Sequence, residues 1–77
     1  MKTREEILES IKKWYALGAE DVKIREDKET GCIMLHTRMW TNFSQEAIAG
    51  SNQYTVFVTS DGVYPNPHHV LEVVIYY

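Results

Sequence analysis

A chain of 77 residues has room for one hydrophobic core and no second domain, and its single cysteine, Cys32, excludes an internal disulfide. With 8 Lys and Arg against 11 Asp and Glu, the formal net charge of −3 disfavours non-specific attachment to phosphate backbones. Cysteine usage points to a reducing, cytoplasmic compartment, and no apolar run reaches the length of a membrane span. The charged opening MKTREEILES lacks the apolar stretch of an export signal, so a chain that is neither exported nor membrane-bound is expected.

The first element is a helix over Thr3 to Gly18. Thr3 and Glu6 have the spacing of a capping box, in which hydroxyl and carboxylate each satisfy a backbone N–H that the helix leaves unpaired. Ile7, Leu8, Ile11, Trp14 and Tyr15 recur at helical spacing and form one apolar stripe, while Glu5, Glu9, Lys12 and Lys13 take the other side. Gly18 is expected as the left-handed cap. Asp21 to Glu26 then alternates as a first strand, and DKETG supplies a hairpin loop with Gly31 at a position needing positive φ. Cys32 to Trp40 is the second strand. Ser44 caps a short helix ending at Gly50, with Phe43 and Ile48 as a hydrophobic staple, the competing view being an irregular flap. Gln53 to Thr59 is the third strand, Ser60-Asp61-Gly62 a turn, and Val70 to Tyr77 the fourth strand. The stretch YPNPHH, with two fixed φ angles and two missing donors, is a stiff connection between the last two strands.

One domain over residues 1–77 follows: an α+β fold in which an N-terminal helix packs on one face of a four-stranded, mostly antiparallel sheet, with a short helix or flap between strands two and three. Strand alternation divides the side chains between two faces. Ile33, Leu35, Thr37, Met39, Tyr54, Val56, Val58, Leu71, Val73, Ile75 and Tyr77 form the set expected under the helix. Met34, His36, Trp40, Phe57, Val74 and Tyr76 fall on the other face, which has no long helix to cover it. A contiguous apolar patch of that kind marks an interaction site. VLEVVIYY has the composition of a strand buried on both sides, so it lies between two strands or meets a partner.

Chemistry is thinly represented. His36 and Cys32 share a face, and with His68 and His69 they make up a conceivable metal set, but no ligand spacing such as paired CxxC or HxxxH is present. His68 and His69 are adjacent and point to opposite faces if extended, so they read as loop and strand-entry residues. His36, Glu72 and Asp61 are the available acid–base groups, and there is no glycine-rich phosphate loop. Trp40, Phe57 and Tyr76 could stack bases, but no basic cluster accompanies them.

The sequence therefore predicts a small non-enzymatic protein-binding module, in size and style like an accessory, inhibitor or immunity-type protein such as phages encode. It needs no cofactor, metal, nucleic acid or membrane. The expected contact residues are Met34, His36, Trp40, Phe57, Tyr64, His68, Val74 and Tyr76. The partner is another protein, and a homodimer is expected because the second face and last strand offer too much apolar surface for a monomer. The alternative is a small-ligand or metal-binding domain using His36, His68, His69 and Cys32.

Overall fold

The computed structural model describes residues 1–16, 22–61 and 68–77, without the side chains of 59–61, 68 and 69. It has the expected architecture: a helix, a four-stranded antiparallel sheet, and a short helical segment between the second and third strands. Helix α1 spans Arg4–Trp14, and the strands are β1 (Lys23–Asp27), β2 (Cys32–Thr37), β3 (Tyr54–Asp61) and β4 (His68–Tyr76). No helix among the described residues is long and apolar enough to cross a membrane.

The start of α1 follows from its capping box. Thr3 Oγ1 accepts from the Glu6 N–H at 3.2 Å, and Glu6 Oε1 accepts from the Thr3 N–H at 3.0 Å. Ile7 and Ile11 are wholly buried and Leu8 packs beside them, as their spacing requires. The helix ends earlier than its apolar spacing suggests. Trp14 is its last residue and is 47% exposed, and Tyr15 is an extended cap. Gly18, the expected cap, lies outside the described residues.

The β1–β2 hairpin turns at Gly31, whose φ of 76° only glycine adopts without strain. Asp27 organises the loop by accepting from the Glu29 and Thr30 N–H groups and the Thr30 hydroxyl. Opposite ion pairing ties this hairpin to the helix, since Arg4 makes a two-pronged contact with Glu26 on β1. The segment between β2 and β3 is helical but differently capped from expectation. Thr41, not Ser44, is the N-cap of a single α-turn, α2 (Asn42–Ser44), which widens into a π-type turn over Gln45–Ala49. The Gly50 N–H donates to the Gln45 carbonyl across that wider turn, and Gly50 ends it at φ 58°. Ile48 and Ala49 enter the core, whereas Phe43 is exposed against Trp14 with ring centroids 4.7 Å apart, so no staple forms.

The strand order is β1-β2-β4-β3. The C-terminal strand, rich in Val, Ile and Tyr, thus lies between two neighbours, with β2 on one side and β3 on the other. Its apolar composition is that of an interior strand. The chain end is held too: the Tyr77 N–H donates to the Gly31 carbonyl at 3.1 Å. Ile33 and Leu35 from β2, Val73 and Ile75 from β4, Ile7 and Ile11 from α1, and Ile48 and Ala49 make up the core. Tyr54 and Val56 of β3 pack at its margin. Among the described residues, the helical elements pack on this face of the sheet.

Candidate functional site

Cross-strand partners share a face, so the pairing register fixes the layout of the face opposite the helix. One row across the four strands reads Lys23, His36, Glu72 and Phe57. The next reads Arg25, Met34, Val74 and Thr55. A third begins Asp27, Cys32 and Tyr76. Among the described residues no element packs over these rows, and none of Met34, Phe57, Val74 and Tyr76 belongs to the core cluster.

Met34 and Val74 are half-buried and directly opposite each other at the middle of the sheet. Tyr76 is half-buried beside Cys32, and Phe57 is 54% exposed on β3. The edge of this apolar strip on β1 is cationic: Lys23 and Arg25 are exposed, and among the described residues neither enters an ion pair. His36 sits between Lys23 and Glu72 and forms a close Nδ1–carboxylate pair with Glu72. With Glu72 ionised, Nδ1–H donates in this contact, which holds the imidazole in one orientation; among the described residues Nε2 has no partner. The pair is polar in the middle of an apolar strip and can accept or donate one hydrogen bond to whatever covers it.

Expectation and structure part at several positions. Trp40 does not lie on this face. Strand β2 stops at Thr37, where the side chain Oγ1 accepts from the Met39 N–H at 3.2 Å and draws the backbone out of the ladder. Strand alternation ends there, so Trp40 turns to the core margin, 5.6 Å from the Tyr54 ring, with Nε1 buried and without a hydrogen-bond partner among the described residues. For the same reason Met39, expected in the core, is 65% exposed. Tyr64 lies outside the described residues, and of His68 and His69 only the backbone is described, opposite Asp61 and Ser60 at the start of β4. The structure thus brings together Met34, His36, Phe57, Val74 and Tyr76 and removes Trp40 from their company. Glu72, Lys23 and Arg25 join the site through the register, which alternation within single strands does not reveal.

The metal set does not assemble around its described members. Cys32 and His36 lie four residues apart on one extended strand, a separation of about 13 Å, whereas two ligands of one zinc ion each sit about 2.0–2.3 Å from it. Among the described residues no three His, Cys, Asp or Glu side chains could hold an ion together. No family model, curated protein or solved structure matches the chain.

Proposed function

We propose that the chain is a non-enzymatic binding module that holds another protein against the open face of its sheet. The observation that carries this reading is the half-buried Met34–Val74 strip at the centre of the sheet, with Tyr76 and the exposed Phe57 at its margins, over which no element packs among the described residues. A small domain leaves such a strip bare where something else covers it. The partner's chemistry follows from the surroundings: an apolar patch to meet the strip, bordered by carboxylates to meet Lys23 and Arg25. The His36–Glu72 pair offers a directional polar contact within the patch and so selects for register more than for affinity. A buried thiol and no second cysteine suit a reducing compartment.

The test is quantitative capture from the native host by the wild-type chain and by Val74→Glu, a charge set in the middle of the strip. At least one protein held by the wild type should fall about tenfold on the variant, a loss of about 1.4 kcal/mol. That protein should also elute more readily as salt rises, because Lys23 and Arg25 are exposed. Equal capture by both chains contradicts the reading.

A further inference from the structure

The two edges of the sheet are built differently. At β1, four of the five residues are charged, namely Lys23, Arg25, Glu26 and Asp27, which is how natural sheets keep an edge from pairing with another strand. At β3 no residue from Tyr54 to Ser60 is charged, and Thr55, Val56, Phe57 and Val58 are all strand-favouring types. The inner side of β3 is fully paired with β4, and among the described residues nothing pairs with its outer side. The Tyr76 N–H donates to the Gln53 carbonyl, so by antiparallel alternation the odd-numbered residues bond to β4. Tyr54, Val56, Val58 and Ser60 therefore turn their N–H and C=O groups outward. Apolar side chains flank these groups on both faces: Phe57 on the open face, and Val58, 65% exposed, on the helical face beyond the cover of the core.

We infer that β3 is a pairing edge and that its occupant is β3 of a second copy of this chain, joined antiparallel across a two-fold axis at Phe57. Charge selects this partner. Pairing β3 with itself sets no like charges opposite each other, whereas the same operation on β1 would set Arg25 against Arg25. Closure also selects it: with β1 blocked, one edge of each chain is open among the described residues, so assembly stops at two copies instead of running on as a filament. The axis at Phe57 places Val56 opposite Val58 of the second copy, and these outward-facing residues exchange both backbone hydrogen bonds. Phe57 meets its counterpart in the closer, non-hydrogen-bonded pair, where aromatic side chains interact well. The product is one continuous eight-stranded sheet with both open faces on the same side. The edge shares Phe57 with the open-face patch but not Met34 or Val74, so Val58→Lys and Val74→Glu separate this inference from the binding reading.

Light scattering on the purified chain at about 50 μM, well above the micromolar Kd of a modest interface, tests it together with amide exchange. The wild type should have twice the 9.0 kDa chain mass, and the Val56 and Val58 amides should be protected like those of an interior strand. Val58→Lys, a change at a solvent-exposed side chain, should give the single-chain mass with an unchanged fold by circular dichroism, and Val56 should exchange freely. Val74→Glu should keep the double mass. A wild-type chain of single mass with fast-exchanging Val56 and Val58 overturns the inference. So does a double mass that survives Val58→Lys and is lost in Val74→Glu, which would move the contact to the open face. Should Val58→Lys fail to fold, exchange at Val56 and Val58 in the wild type decides alone.

Discussion

Asn52 shows how much a single polar side chain holds in a domain this small. It is 4% exposed, just before β3, and its amide bonds in three directions. Nδ2 donates to the Lys2 and Tyr76 carbonyls, each at 2.9 Å, and Oδ1 accepts from the Lys2 N–H at 2.8 Å. One side chain thereby ties the N-terminal segment to the end of the central strand. Asn52→Ala leaves the part-buried Lys2 and Tyr76 backbone groups without this partner and should cost about 1 kcal/mol or somewhat more, read as a lower urea midpoint at constant slope. A midpoint unchanged from wild type would show that water replaces the amide at no cost. The sequence gives no warning of this clamp, because asparagine beside Gly-Ser looks like any turn residue, and its partners lie 24 and 50 positions away. Trp40 is the converse case. Its spacing put it on the open face, and a two-residue hydrogen bond at Thr37 moved it to the core margin.

Among the elements, those with local causes could be read directly. The capping box at Thr3 and Glu6, the positive-φ glycine at Gly31 and the alternation of β2 and β4 each depend on a few adjacent residues. The end of α1 and the cap of α2 depend on tertiary contacts. The Tyr15 hydroxyl reaches the Met39 carbonyl at 2.7 Å and Ser44 Oγ at 3.0 Å, which engages Ser44 away from the cap that its sequence position suggested. Acid sensitivity belongs at this scale, because three carboxylates fasten α1 and the hairpin. The Arg4 guanidinium holds Glu26 below the usual carboxylate range, the Thr30 hydroxyl and amide do the same for Asp27, and the Thr3 backbone amide for Glu6. Groups so depressed contribute stability that is fully present above the unfolded-chain values of about 4 and is lost as pH falls through the lower folded values. The melting temperature should therefore be flat from about pH 7 to 5 and should drop below about pH 4. Glu26→Gln should shrink that drop. A melting temperature that rises on acidification contradicts the assignment.

At the scale of the whole molecule, the assignment of side chains to the two faces within β2 and β4 was readable, and the order of the strands was not. Alternation assigns each side chain to a face without saying which strand is its neighbour. The composition of VLEVVIYY allowed either an interior strand or a partnered edge. The order β1-β2-β4-β3 makes it interior and leaves β3, uncharged from Tyr54 to Ser60, at the margin. The binding reading rests on this two-faced sheet, and neighbouring residues of β4 sample its two sides. Ile75 is wholly buried in the core, and Val74 is half-buried on the open face. The decisive measurement is thermal unfolding by circular dichroism of Ile75→Glu and Val74→Glu side by side. Ile75→Glu should be unfolded at 25 °C, since an unpaired charge in the core costs several kcal/mol in a domain that has about 5 kcal/mol or little more, whereas Val74→Glu should remain folded and melt close to the wild type. Two folded variants, or an unfolded Val74→Glu beside a folded Ile75→Glu, would contradict the assignment of the faces.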